Sequence, residues 1–480
     1  MDLSRMMAGQ MSLAPQDLER MHTAALRVLD EIGIAIENPV ALDALKRAGV
    51  RVSGDRAHFA PGFVEDRLAA LRCEWEGVPS RRRADRLTVT VGDMCQYYHS
   101  PFSDDIELMT TANVVEATKS VETMRDLGLG SYVPGVPRDV PQQLQAIVEY
   151  RVGAEYLTGG PTLDTLHPPE ALPYLFEMAD AMGDPMDATN IFPVSPLRLS
   201  GYEFEIAVKY VERWKRYSVT TYPAVGATGP IRLRAAWVLS IAEGLGGAIT
   251  LHVVSGGKPV RFSIGMFPFD LRTFTIVGGM PECAWMYWVR AQINRFYDAR
   301  SGYSMMLGTQ AKRPGLQAGL EKGMAGAFGV MSGCDDLHYI GVLSFDDIYS
   351  PEQARADIEL RDALEQLGRG IPDEDPEQWI DVIREGIGKG YVDANTTLDH
   401  YRETYWFPRL FDRMSWHSFA TGAGRTARQR AREDVLARLA GYSYRPPARE
   451  AEDVRRIFAD AWQRLGGAPD APCLPLLRNE

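Results

Sequence analysis

Cysteine is scarce. The chain carries five, at positions 73, 95, 283, 334 and 473, an odd and widely spread set that excludes a disulfide scaffold and fits a reducing compartment. The metal-binding spacings CxxC and HExxH are absent, and so is the GxGxxG turn of a dinucleotide-binding unit. Positive charge is in deficit, with 52 Lys and Arg against 64 Asp and Glu and a formal net charge of -12. No cationic surplus is left to neutralise phosphates, which argues against nucleic acid as a partner. The one basic run, RRRAD at 81–85, reads as a solvated turn. No stretch of about 18 uncharged apolar residues is present to span a bilayer. The opening MDLSRMMAGQMSLAPQDLERMH lacks the basic-then-apolar order of a signal peptide. A cytoplasmic protein without a membrane partner is expected.

What is present is a chain of 480 residues, 45% hydrophobic and 24% charged, able to bury a large core. Between Pro15 and Ile32 the residues Leu18, Met21, Ala25, Leu29 and Ile32 recur at helical spacing, and Gly33 ends the run. A second helix over roughly 40–47 completes an N-terminal helical cap, which with its lead-in covers 1–110. From about 110 the rhythm changes. Helical segments such as TTANVVEATKSVETMRDLG alternate with short strands near 130, 157, 191, 220, 262, 305 and 338. That alternation predicts an α/β fold of the (β/α)8 TIM-barrel type, with 111–370 as the main part of the barrel. Residues 371–480 read as barrel completion and a C-terminal helical extension. An open doubly wound sheet is the alternative.

Barrel sites lie at strand C-terminal ends. Here those ends are rich in glycine, proline and aromatic residues. Tyr97, Tyr222, Phe267 and Tyr339 fall on or beside them, and π faces with a carboxylate nearby suit a cationic ligand, a quaternary ammonium above all. Core packing is the competing reading for each ring taken singly. GATGP at 226–230, with Gly226 and Thr228, is a candidate anion nest or a plain tight turn. The stretch SGCDDLHYIG at 332–341 places Cys334, Asp335, Asp336 and His338 together. Two carboxylates beside Cys334 raise its pKa, the wrong direction for a nucleophile. A zinc site with distant help from Cys283, His252 or His99 is the lesser reading of the stretch; a pocket wall is favoured, with no metal ion expected in the chain.

Four segments carry a likeness to a known family: LERMHTAALRVLDEIGIAIENPVALDALKRAG, then FPVSPLRL with YPAVGATGPIRLRAAWVLSIAEGLGG, then QAGLEKGMAGAFGVMSGCDDLHYIGVLSFDDIYSPEQARADIEL, and finally LDHYRETYWFPRLFDR. In this order they resemble the trimethylamine methyltransferase family, in its branch without pyrrolysine, which includes glycine betaine:corrinoid methyltransferase. The resemblance implies a TIM barrel that moves a methyl group from a methylated amine to Co(I) of a corrinoid (cobalamin) carried by a partner protein. The donor implied is a quaternary amine of betaine type, and a homo-oligomer is expected. It also gives His338 a role as the catalytic residue, on the substrate's carboxylate tail or at the corrinoid, with a structural imidazole bonded to backbone as the alternative. Tyr97, Tyr222, Phe267 and Tyr339 become the substrate's cation box, and Arg272 or Arg198 its carboxylate clamp. Gly226, Thr228 and Gln310 become corrinoid contacts. At 309–315 the chain has TQAKRPG where the family has an aspartate-rich loop, and Asn395 and Thr396 where histidine-threonine is more usual. A betaine-binding or sensing protein on the same fold is the alternative, and a barrel lyase or hydrolase acting on a small acid is a third.

Overall fold

The computed structural model describes residues 12–75, 86–92, 94–161, 168–279, 281–298, 304–422 and 424–473. The N-terminal helix α1 (Pro15–Arg27) has proline in its first turn, where a missing N–H costs nothing, and runs into one π-turn before stopping at Gly33. Gly33 has φ 75°, and a Cβ there would stand 2.6 Å from the Ala57 carbonyl oxygen. The strand Ile34–Ile36 then pairs with Arg56–His58 on one side and, in parallel, with Arg198–Leu199 on the other. The cap is therefore stitched into the body rather than laid upon it.

Six parallel strands frame the body: β1 (Thr88–Val91), β2 (Ala188–Ile191), β3 (Arg216–Thr220), β4 (Val260–Ser263), β5 (Ser304–Met306) and β6 (Asp336–Ile340). They form two arcs. One runs β2-β3-β4, and the other runs β5-β6-β1 with Leu129 bridged to Val89 at its end. Five of these strands and the Leu129 bridge lie where the helix–strand rhythm predicts. β1 was not foreseen; it comes from the segment read as lead-in. Among the described residues no ladder joins the arcs into a closed sheet.

Period-two alternation gives each strand two unlike faces. Val89, Val91, Val219, Phe262, Met305 and Leu337 are buried beneath the helices. The opposite face is polar and cross-bonded. Thr88 and Ser304 donate to the two oxygens of Asp336 at 2.7 and 2.8 Å, Thr90 Oγ1 lies 3.0 Å from His338 Nδ1, and Ser218 donates to Asn190 at 2.8 Å.

Helix α2 (Leu233–Val254) is apolar nearly all round and long enough to cross a bilayer, but 83% of its apolar window is buried inside the protein. Its glycines, the GLGG at 244–247, serve close packing. A Cβ on Gly244 would meet Ile264 at 2.2 Å, on Gly246 Leu29 at 3.0 Å, and on Gly247 Val219 at 3.0 Å. Helix α3 (Pro281–Phe296) lies across the break between β4 and β5. Asn294 takes the place of a neighbouring strand, accepting from the Ile264 amide at 2.9 Å and donating to its carbonyl at 3.1 Å. The Tyr287 side chain hydrogen-bonds the Met306 backbone on the other side. Buried backbone groups at an interrupted ladder need such partners.

Candidate active site

Four aromatic side chains, each just beyond the C-terminal end of a different parallel strand, meet in one chain of ring contacts. Phe192 follows β2, Tyr222 follows β3, Phe267 follows β4 and Phe345 follows β6. Phe192 stacks on Tyr222 at 6.2 Å, Tyr222 on Phe267 at 4.7 Å, and Phe267 meets Phe345 edge-on at 5.3 Å. Tyr339 continues the chain to His338, with centroids 6.4 Å from Phe345 and 4.7 Å from His338. The belt unites four of the residues predicted for the site: Tyr222, Phe267, Tyr339 and His338. Phe192 and Phe345 were not foreseen. Both sit in the segments FPVSPLRL and VLSFDD, where nothing in periodicity separates them from core.

The end of β6 is held in an unfavourable shape. The ladder with β1 slips between Leu337 and Ile340, and Tyr339, Ser344 and Phe345 all have positive φ, at 68°, 53° and 68°. Such backbone persists only where surroundings enforce it. A fully buried ion pair does so here. Lys322 Nζ lies 2.7 Å from Asp357 Oδ2 and donates to the Tyr339 carbonyl at 3.1 Å, while Asp357 accepts from the Gly341 amide at 2.8 Å. The sequence left no trace of this pair; its members come from two different helices, 35 positions apart. Glu321 likewise fixes the next loop, accepting from Thr309 Oγ1 at 2.5 Å and from the Gln310 amide at 2.8 Å.

Phe345 also lines a cavity of about 750 Å3, together with Asp270, Ile276, Gln310, Lys312 and Asp346. Burial, and after it the neighbouring Asp347, push the Asp346 carboxyl up to about 6. Lys312 donates to Ser344 Oγ at 2.8 Å, which donates to Asp347 at 3.0 Å. Gln310 lies on the wall of this cavity.

Other predicted residues lie elsewhere. Tyr97 is 42% exposed on a small sheet formed by Tyr97–His99, Ile106–Leu108, Val342–Leu343 and Ile348–Tyr349, outside the ring chain. Arg272 projects from a hairpin tip and is spent on Asp270, at 2.7 Å, and Arg198 pairs with Glu37. The GATGP turn is closed on itself. The Gly226 amide donates to Gly229 O, those of Ala227 and Gly229 donate to Ala224 O, and Thr228 Oγ1 accepts from Ala224 N. Amides consumed in this way do not form an anion nest, so Gly226 and Thr228 act as turn residues.

Cys334 sits between helix and strand, its thiol pushed up to about 12 by burial and then by Asp335 and Asp336. Tyr303 falls outside the described residues. His99, Asp104 and Glu352 converge within 4.8 Å, a spacing suited to a cation. Arg428 already ion-pairs with both carboxylates there.

The sequence profile named Trimethylamine methyltransferase (MTTB) matches residues 2–457. The chain belongs to the trimethylamine methyltransferase family. Like the branch without pyrrolysine, it has an ordinary residue at every position. Among relatives in this family, the glycine betaine methyltransferase of Desulfitobacterium hafniense is 24% identical over 470 residues, covering 94% of this chain and 96% of its own. The proline betaine:corrinoid methyltransferase of Eubacterium limosum is 25% identical, covering 92% and 96%. Trimethylamine methyltransferase MttB of Desulfitobacterium hafniense is 22% identical, covering 96% of each chain. The solved monomethylamine methyltransferase of Methanosarcina barkeri overlays with a TM-score of 0.47 at 13% identity, over 94% of this chain and 87% of its own.

Proposed function

We propose that the protein is a methyltransferase taking a methyl group from a quaternary amine of betaine type, with a separate corrinoid protein as acceptor. The observation that carries this reading is the aromatic belt at the ends of four parallel strands. A permanent cation cannot be neutralised by proton loss, and π faces stabilise it without the tight ion pair that would hold the ground state back. A quaternary ammonium leaves as a neutral amine, so no side chain has to deliver a proton. Tyr222, Phe267 and Phe345 are read as placing and desolvating the donor methyl group. His338, held by Thr90, supports the Tyr339 end of that wall. The two arcs are read as parts of one (β/α)8 barrel, opened at β4–β5 by α3. A second opening lies between the Leu129 bridge and β2, where, among the described residues, the helix Gln142–Tyr156 ends without the strand expected near 157.

The adjoining cavity, with Gln310, Lys312, Asp346 and Phe345, offers amide and charged partners suited to the carboxamide-bearing edge of a corrin. When bound, the reduced corrinoid supplies the nucleophile that receives the methyl group. A cytoplasmic location and a homo-oligomer belong to the same reading. A single anaerobic assay tests it: conversion of cob(I)alamin to methylcobalamin, followed by absorbance, with glycine betaine, proline betaine and trimethylamine as donors. Conversion with a betaine is expected. Tight binding of a betaine without conversion, alone or with a corrinoid protein, would replace the enzyme by a sensor.

A further inference from the structure

Resting on the quaternary-amine reading above, we infer that Arg290, rather than Arg272, anchors the carboxylate of the methyl donor. The donor is then a zwitterion, its ammonium among Tyr222, Phe267 and Phe345 and its carboxylate at the Arg290 guanidinium.

Arg290 comes from α3, the helix that spans the break between β4 and β5. Its guanidinium lies 5.6 Å from the centroid of Tyr222 and 5.3 Å from that of Tyr287, and its Nη2 donates to Ser263 Oγ at 2.7 Å. Tyr222 is the ring that stacks on Phe267 at 4.7 Å. The cation therefore abuts the belt at Tyr222, the ring between Phe192 and Phe267.

Among the described residues no carboxylate lies in ion-pair range of it. Asp270 is taken by Arg272, Asp336 by Thr88 and Ser304, and Glu243 by Ser195 and Leu197. Burial opposes the charge, but Tyr222 and Tyr287 together outweigh it and hold the guanidinium above its ordinary value. The side chain nevertheless keeps part of its accessible area. It is half-buried rather than sealed in the core. A guanidinium carries five N–H donors in a planar fork; Ser263 Oγ takes one and the Tyr222 and Tyr287 hydroxyls face it too, but all three partners are neutral. A desolvated cation is costly unless an anion reaches it. A carboxylate satisfies the fork with two parallel hydrogen bonds. Glycine betaine and proline betaine carry both charges within one small molecule, which a ring belt flanked by an arginine can engage together.

The test is calorimetric titration of the full chain and of R290K and R290M. The ligands are glycine betaine, proline betaine, the carboxamide of glycine betaine, and tetramethylammonium. At least one betaine is expected to bind about 100-fold or more tightly than the carboxamide or tetramethylammonium, as a bidentate charge-assisted pair commands. In R290M that advantage disappears, while tetramethylammonium binds within about twofold of the parent, showing an intact belt. R290K keeps part of the advantage, as a point charge without the fork. Three results would overturn the inference: equal affinity for betaine and carboxamide in the parent, unchanged betaine affinity in R290M, or equal loss of tetramethylammonium and betaine in R290M. No corrinoid enters the titration. Discrimination without methyl transfer would thus sink the enzyme reading alone, and transfer without discrimination would sink Arg290 alone.

Discussion

Glu243 is completely buried in the middle of α2 and still holds two donors, Ser195 Oγ at 2.8 Å and the Leu197 amide at 2.8 Å. It thereby fixes the loop between Phe192 and the paired Arg198–Leu199. Burial raises its carboxyl from 4.5 to about 7, against the pull of those two hydrogen bonds. A raised carboxyl means the folded chain binds more protons than the unfolded one, so stability falls as pH rises from about 4.5 to about 7 and levels above that. At ~1.36 kcal/mol per pKa unit the cost is on the order of 3 kcal/mol. Glu243→Gln should melt close to the parent at pH 5, where the parent's carboxyl is protonated and, like the amide, offers one carbonyl acceptor and one donor group. At pH 8 it should exceed the parent, because the buried charge is gone. Melting temperatures at the two pH values check this; parallel curves for parent and variant would refute it. Asp346, raised to about 6, leaves a residual slope of the same sign. At this scale the rings Tyr222, Phe267 and Tyr339 were legible as aromatic residues at strand ends. Arg290 was not, because a lone arginine in a helical segment looks like any solvated one until its surroundings are known.

Among elements, α2 shows how glycine in a helix interior is offset. Each glycine costs up to about 1 kcal/mol in propensity, yet at 244–247 it lets the helix axis approach α1, β3 and the end of β4. Gly244→Ala puts a methyl 2.2 Å from Cδ1 of the fully buried Ile264. A loss of about 1–3 kcal/mol in unfolding free energy is expected. Ile264→Val deletes that Cδ1, so the double variant should recover to within about 1 kcal/mol of Ile264→Val alone. Urea unfolding of the three variants measures it, and strict additivity would place the strain elsewhere. The helix–strand alternation was readable because each element repeats its own period. β1 escaped notice because four residues, TVTV, are too few to establish one. The break between the arcs was equally hidden, since it depends on Asn294 and Tyr287 supplying strand-like hydrogen bonds from a helix.

For the whole molecule, the segment 371–422 stands apart. Its helices Pro376–Glu385, Asn395–Thr404 and Trp416–Thr421 contain no buried residue. Fifteen large apolar side chains from Ile371 to Trp416 are exposed, Ile371 at 97% and Val392 at 89% among them. Helices of ten residues or fewer are marginal in water without tertiary cover. These side chains offer on the order of 1,500 Å2, above the roughly 800 Å2 per partner of a stable interface. The aromatic stretch YRETYWFP at 401–408 is largely exposed, which favours a subunit contact with a second copy as occupant. Sedimentation should show a homo-oligomer, and Ile380→Asp with Trp416→Asp should yield a folded monomer. A parent that sediments as a monomer would end this reading.

The sequence by itself determined the α/β alternation, the Gly33 stop, the inert thiol of Cys334 and the family, because these depend on local period, neighbouring charge and residue order. Only the tertiary structure decided that the GATGP amides close on themselves, that Arg272 is committed to Asp270, and that Lys322 with Asp357 holds the Tyr339 bulge. It alone set Arg290 against Tyr222. Each of these rests on contacts whose geometry exists only once the chain has folded.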